Sequence, residues 1–405
     1  MKDVILLNLG NFTYLGAQWI ISVALVRLGG FEDAGLFSLA MSVANVFVVF
    51  GNYGLRTYQV SDINNRFTNG TYIINRIITV IISFVFCVCY GLAVGYSALK
   101  ISIICAYMLY KCIEAISDVL SAIWQKDGDI TSVSITAGVK GLLNMFAFFA
   151  AYLISRNLLT ACIFMALSSV LVLITYDFGK TKKHIRLHEI KATADLKQNT
   201  ELLKTGFITM LISAAVILTN SIPKLVIEKM LDSEKLGIFS SIATPTVIIS
   251  TFAVGVLLPL VKRMADLYEN YNGKALSKII LVCNAVIIGT GILAAIVSVF
   301  AGKPVFSLVY GSEILPYFTL FYYMIAATVF IALLSTYSTV LTVARKLKQQ
   351  LAFSASACLA VLILSLVLVK RFDIYGAAYA MLISLSAQFV FESIYIYSVI
   401  HKLKN

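Results

Sequence analysis

The chain has 405 residues, of which 60% are hydrophobic and 13% charged, with a formal net charge of +12. A soluble globular domain carries about 45–50% apolar and about 25% charged residues, so the composition excludes that class and indicates a polytopic membrane protein. The surplus cations sit in short loops between apolar runs rather than in a basic groove with interleaved aromatics, which argues against a nucleic-acid surface and for anionic lipid headgroups of the bilayer as partner.

A crossing needs about 20 mostly apolar residues. With Gly, Pro and charge clusters as punctuation, the spacing predicts twelve crossings, near 5–26, 35–57, 72–95, 100–124, 130–153, 157–177, 204–227, 236–260, 276–301, 315–342, 348–369 and 374–400. The first run lacks a signal-peptide cleavage pattern and outlasts a signal's apolar length, so it is read as a membrane helix. All the cysteines, Cys87, Cys89, Cys105, Cys112, Cys162, Cys283 and Cys358, fall in apolar segments without metal-ligand spacing and are read as free thiols packed as small hydrophobes.

Between the sixth and seventh segments lies Lys180–Lys204, the one long run too polar to enter a bilayer. Lys180, Lys182, Lys183, Arg186, Lys191, Lys197 and Lys204 place it in the cytoplasm by the positive-inside rule. Putting both termini on that side as well leaves most remaining Lys and Arg in cytoplasmic loops. The expected organisation is an N-terminal six-helix lobe over 1–178, a basic connector over 179–203 and a C-terminal six-helix lobe over 204–405.

The halves repeat. Gly35, Leu36, Phe37 and Ser38 match Gly237, Ile238, Phe239 and Ser240 at an offset of 202, and Asn69–Gly70 matches Asn272–Gly273 at 203. Six crossings per repeat is even, so both repeats enter from the same side, which predicts a pseudo-twofold axis along the membrane normal and a substrate path between the lobes.

Ionisable groups within crossings are functional candidates, because each costs about 2.5–3.5 kcal/mol to insert. In the fourth segment Lys111, Glu114, Asp118, Ser121 and Gln125 share one helical stripe. The fifth adds Lys140 with Asn144 one turn on, at a depth similar to that of Lys111. Two buried cations suggest a lumen suited to an anion such as a pyrophosphate. The alternative is a Lys111–Glu114 pair on one helix with Lys140 snorkelling to the cytoplasmic face.

Quieter stripes carry Asn8, Asn11, Gln18 and Ser22 in the first segment and Ser38, Ser42, Asn45 and Asn52 in the second. Thr209, Ser213, Asn220 and Lys224 lie in the seventh, and Ser384, Gln388, Glu392 and Tyr395 in the twelfth. They line water or glue helices together. Arg27, Glu228 and Lys229 stand at outer ends as a candidate gate, with Pro223 a candidate hinge. His184 and His188 read as a solvated loop rather than a metal site. No P-loop, H-E-x-x-H or G-x-S-x-G occurs, so neither cofactor nor metal is expected, nor an enzyme.

Several motifs together resemble the Wzx polysaccharide flippases of the multidrug/oligosaccharidyl-lipid/polysaccharide (MOP) exporter superfamily. They are RLGGFEDAGLFSLA after the first segment, NYGLRTYQVSD after the second, EAISDVLSAIWQKDGDI at the fourth, SIPKLVIEKMLDSEKLGIFSS at the seventh and VYGSEILPYF before the tenth. The resemblance spans nearly the whole chain. It implies a bacterial inner-membrane protein that moves an undecaprenyl-pyrophosphate-linked oligosaccharide repeat unit to the periplasmic leaflet for O-antigen or capsule assembly.

The same resemblance implies a cationic cavity between two six-helix bundles, to which Lys111, Lys140 and Lys224 would belong. It further implies coupling to protons or sodium through Glu114, Asp118 or Glu392, and partners such as the polymerase and chain-length proteins of the pathway. A multidrug cation antiporter of the same fold is the alternative, though it would favour a lumen dominated by carboxylates. A membrane glycan polymerase is a further one, though its large outer catalytic loop has no counterpart here.

Overall fold

In lipid every backbone polar group must be satisfied within the segment, so apolar runs of this length are driven to helix. The computed structural model describes residues 2–62, 66–182, 196–257, 260–401 and 403, with side chains for all of these except 2–8, 57, 196 and 197. Among the described residues there are helices and no strand. His184, His188, Lys183, Arg186, Lys191 and Pro259 lie outside the described residues, as do the side chains of Asn8 and Lys197.

The first helix, α1, runs Lys2–Asn52. Its apolar stretch Leu9–Asn52 has 44 residues, about 66 Å at 1.5 Å per residue, roughly twice the hydrocarbon thickness. The helix breaks at Gly30, whose φ of 77° and ψ of −176° interrupt the hydrogen-bond ladder, so α1 supplies two crossings. A short α2 (Leu55–Ser61) precedes α3 (Asn69–Val94), α4 (Ala98–Lys126), α5 (Ile130–Ser155) and α6 (Leu158–Val172). Successive starts are capped by Thr68, Ser97, Asp129 and Asn157, each accepting a backbone N–H three residues on.

After α6 a wide turn, Leu173–Asp177, leads into α7 (Phe178–Thr181). Next come α8 (Leu196–Met230), α9 (Ser233–Ala243), α10 (Val247–Leu257), α11 (Val261–Glu269) and α12 (Gly273–Val297). The chain closes with α13 (Lys303–Tyr310), α14 (Leu320–Val343), α15 (Leu347–Phe372) and α16 (Ile374–His401). Among the described residues ten helices are long and apolar enough to cross a membrane. Because α1 holds two crossings, and α4 joins them once the charges Lys111, Glu114 and Asp118 in its middle are allowed for, the expected twelve are present.

Two details differ from expectation. The eighth predicted segment is broken at Pro245 into α9 and α10, whereas α8 keeps its helical assignment across Pro223. And α8 begins inside the polar connector, because Gln198, Asn199 and Glu201 dock it. Thr71 Oγ1 donates to Gln198 Oε1 at 3.3 Å, Asn75 to Asn199, and Arg66 Nη2 to Glu201 Oε1 at 2.5 Å.

The chain forms two compact units, Met1–Gly29 with Leu36–Ala214, and Gly30–Gly35 with Ala215–Asn405. Aromatic packing centres the first, where the buried Phe37 ring meets Tyr107 and Phe148 with centroids 5.4 Å away in both cases. The second is built on Met264, Leu276, Ile280, Val340, Leu341 and Ile396, with Tyr337 stacked on Phe389 at 5.1 Å. Large apolar side chains such as Ile154, Leu281, Phe300 and Leu308 stay exposed, as a lipid-facing surface requires. Cys87, Cys112, Cys162 and Cys283 are buried, and all seven cysteines are free thiols.

Candidate functional site

In the first unit the α4 stripe gathers two polar clusters. Toward the middle of the helix, Lys111 Nζ donates to Glu114 Oε2 at 2.7 Å, one turn on. Tyr14 and Tyr110 both donate to Glu114 Oε1, at 2.5 and 2.6 Å. The ammonium lies 5.0 Å from the Tyr110 ring and under 6 Å from those of Tyr14 and Tyr107. Lys111 and Glu114 thus neutralise each other inside a tyrosine cage, where three donors satisfy the carboxylate oxygens.

The second cluster was only half legible. Asp118, Ser121 and Gln125 lie on the expected face, and Arg56 from α2 clasps all three. Its Nη1 reaches Asp118 and Ser121 Oγ, the latter at 3.0 Å, and its Nη2 reaches Gln125 Oε1 at 2.7 Å. From α3, Arg76 Nη2 donates to the same carboxylate at 3.3 Å while its Nη1 donates to Asn52 Oδ1 at 2.5 Å. Arg76 is 1% exposed and its buried Nε finds no acceptor among the described residues. Arg56 and Asp118 keep 34% and 32% of their side-chain surface open. Two guanidiniums on one carboxylate leave a net positive charge facing an accessible edge.

Lys140 and Asn144 are not placed as the lumen reading had them. Lys140, 5% exposed, donates at 2.6 Å to Asp177, which is fully buried. Ser117 and Thr136 also donate to Asp177, the latter at 2.7 Å. Asn144 Oδ1 accepts from Ser168 and Ser169 at 2.7 and 3.0 Å. Both residues are enclosed in the unit by α6 and the turn after it, and neither charge nor amide is offered to a lumen. The wide turn supplies the missing partner, since its extra residue rotates Asp177 inward from where a regular helix would put it.

The second unit contains a cavity of about 170 Å³ between α8, α14, α15 and α16. Asn220, Gln350, Ser354, Gln388 and Glu392 are among its lining residues. Glu392 is 2% exposed and accepts from Gln388 Nε2 at 2.8 Å. Gln350 is held by Ser338 and Thr342, at 2.5 and 3.3 Å. Two predicted residues, Asn220 and Glu392, therefore line one chamber.

The other candidates are dispersed. Lys224 is half-buried on α8, one turn before Glu228. Glu228 is buried and accepts from Ser233 Oγ at 2.9 Å, Pro223 is buried, and Lys229 and Arg27 are exposed. Asn11 is exposed and Asn45 half-buried. Among the described residues no group of His, Cys, Asp and Glu is arranged to hold a metal ion.

Residues 1–265 match the family described as polysaccharide biosynthesis protein. The capsular polysaccharide biosynthesis protein CapF of Staphylococcus aureus is 26% identical over 369 residues, 91% of each chain. Among solved structures, the lipid II flippase MurJ in an inward closed conformation matches with a TM-score of 0.75 at 13% identity, over 98% of this chain and 90% of that one. An inward-facing multidrug resistance MATE transporter of the MOP superfamily matches at 0.70 and 12%, over 98% and 95%. At such identities the two structures establish the fold.

Proposed function

The chain belongs to the polysaccharide biosynthesis protein family, and from that premise we propose that it is a flippase for an undecaprenyl-pyrophosphate-linked oligosaccharide repeat unit. It moves this lipid from the cytoplasmic to the outer leaflet of the bacterial inner membrane, for capsule or O-antigen assembly. Both termini lie in the cytoplasm, and the pathway's polymerase and chain-length proteins take up the product. The likeness to CapF over nearly its full length supports the pathway, and the fold supports alternating access.

The observation that carries the reading is Arg56 and Arg76 sharing Asp118. A guanidinium fork matches phosphate oxygens in pairs, so a diphosphate completes a cluster that its own carboxylate leaves one charge short. In the proposed topology Arg56 and Arg76 lie toward the cytoplasmic ends of the second and third crossings, where the headgroup enters while the polyprenyl tail stays in lipid. Lys224 offers a further cation on α8, and Arg27, Glu228, Lys229 and Pro223 serve the outer gate. No bond is made or broken, and the headgroup is held by charge pairing.

Glu392 couples transport to protons or sodium. Its cavity has room for several waters at about 30 Å³ each, and Asn220 and Gln388 supply neutral oxygens beside the carboxylate. A carboxylate that is the one charged group in its cavity's lining can exchange one cation per cycle without engaging the anionic substrate.

The test is reconstitution into liposomes with the lipid-linked intermediate extracted from the producing strain, scored by protection of the sugar from impermeant periodate. Arg56→Ala should slow translocation about tenfold or more, the equivalent of roughly 1.4 kcal/mol or above, and Arg56→Lys should recover part of it. Wild-type rates in Arg56→Ala would remove the anion site.

A further inference from the structure

At the end of the second unit where α8 gives way to α9 and α15 to α16, a charged pair sits among tyrosines. Lys235 Nζ donates to Asp373 Oδ2 at 2.8 Å and to Tyr317 Oη at 3.1 Å, with its ammonium 5.0 Å from the Tyr317 ring. Nearby, the Tyr323 ring meets Tyr379 at 5.1 Å and 90°, and Tyr375 at 6.4 Å and 86°. All six residues are partly open to solvent. They come from three separate parts of the chain: Lys235 from the first turn of α9, Tyr317 and Tyr323 from the entry to α14, and Asp373, Tyr375 and Tyr379 from the α15–α16 junction and the first turns of α16.

Asp373 is the unusual member. Its φ of 55° and ψ of −145° lie in a region that only glycine adopts without strain. One carboxylate oxygen accepts from the Ile374 N–H at 2.8 Å, which leaves the other aimed at Lys235. The turn is held from behind by Gly376, where a Cβ would come within 2.1 Å of the Leu368 carbonyl oxygen. A tight turn built around a strained aspartate, where glycine would fit without strain, indicates that the carboxylate itself is needed.

We infer that this cluster is a saccharide-binding platform, a subsite for the glycan headgroup at the outer face, which rests on the flippase reading above. Ring faces set at right angles form an apolar corner that fits the C–H face of a pyranose. The phenols, ammonium and carboxylate around it offer the donors and acceptors that sugar hydroxyls require. Interfacial anchoring explains single tyrosines pointing to lipid, but it calls for neither an ion pair among them nor a strained turn. The cluster holds the emerging repeat unit on the outer side, which biases the cycle toward release there.

The test uses the full-length protein in nanodiscs and, as probe, the repeat-unit oligosaccharide freed by mild acid from the producing strain's lipid-linked intermediate. Saturation-transfer NMR should report ring-proton contacts in the wild type, weakened about tenfold in affinity by Tyr323→Ala. Asp373→Gly is the decisive variant, because glycine relieves the backbone. It should melt at the same or a higher temperature while losing sugar contact as Tyr323→Ala does. A wild type without contacts, or an Asp373→Gly variant that binds as the wild type does, would overturn the platform. Translocation in the liposome assay is read separately, so an absent platform with intact flipping leaves the proposed function standing, and absent flipping with bound sugar refutes the function but not the platform.

Discussion

Gly35 and Gly237, equivalent positions of the two repeats, face each other at a close backbone approach between α1 and α9. A Cβ on Gly35 would lie 1.6 Å from the Ser233 carbonyl oxygen, and one on Gly237 would lie 1.9 Å from that of Phe31. Each would also come within 3.0 Å of the other glycine's nitrogen. Phe31 and Ser233 are separated by the same 202 residues as the glycines, so the contact is reciprocal: each repeat presents a glycine to the carbonyl one turn before the other's. Small residues permit this helix contact in lipid, where van der Waals packing drives association.

Because the obstructing atoms are backbone, no rotamer change relieves an added methyl there. Gly237→Ala and Gly35→Ala should each cost about 1–3 kcal/mol or more, as overpacked cores do. Thermal unfolding in detergent checks this. A control at Gly289, where nothing lies within reach of a new Cβ, should melt as the wild type does. Equal melting of all three variants would mean that the helices are not in contact at this point.

The buried Lys140–Asp177 pair makes the opposite prediction to a lumen cation. Removing one partner strands the other in an apolar interior, a loss of about 3–5 kcal/mol, so Lys140→Met or Asp177→Leu alone should lower the amount of protein in the membrane. The double variant should recover much of that loss, because no charge is left behind. Immunoblots of membrane fractions, read beside translocation, measure it. Normal protein levels with lost transport in Lys140→Met would return Lys140 to the substrate path.

How much of this could be read beforehand depended on how local each signal is. The Lys111–Glu114 pair and the Asp118, Ser121, Gln125 face follow from helical spacing within one segment, and the Gly35–Gly237 match follows from the repeat. Arg56 could not be assigned to Asp118 in the same way. It follows a reversal at Tyr53 and Gly54, where positive φ values of 51° and 63° swing α2 across to α4. Asp177 was hidden by the irregular turn that carries it, since helical counting does not place a residue beyond an inserted one. The twelfth-segment stripe was legible as a stripe. Its chamber was not, because Asn220, Gln350 and Glu392 come from helices far apart in the chain.

If Glu392 is the coupling group, Glu392→Gln removes the exchangeable charge while keeping size and polarity. Downhill translocation in liposomes should persist, whereas stimulation by an imposed proton or sodium gradient should vanish. Glu114→Gln, which disturbs the tyrosine cage instead, should lower stability and leave stimulation intact in whatever protein folds. Gradient stimulation that survives Glu392→Gln would exclude the cavity as the coupling site.

The N-terminal end of α5 gives a pH-dependent test outside the membrane-spanning part. Slight burial pushes the Asp129 carboxyl up, but hydrogen bonds from Lys180 and Ser132 outweigh it and hold the group down at about 2. A depressed carboxylate contributes stability that is complete above its unfolded value, near 4, and is lost as pH falls toward its folded one. Asp129→Asn keeps a good helix cap for Ser132 N but cannot ionise. The wild type should therefore lose melting temperature more steeply than Asp129→Asn between pH 4 and about 2, with the two curves parallel from pH 5 to 8. Parallel curves throughout would show that the Lys180–Asp129 contact contributes nothing to folding, the outcome usual for isolated surface pairs.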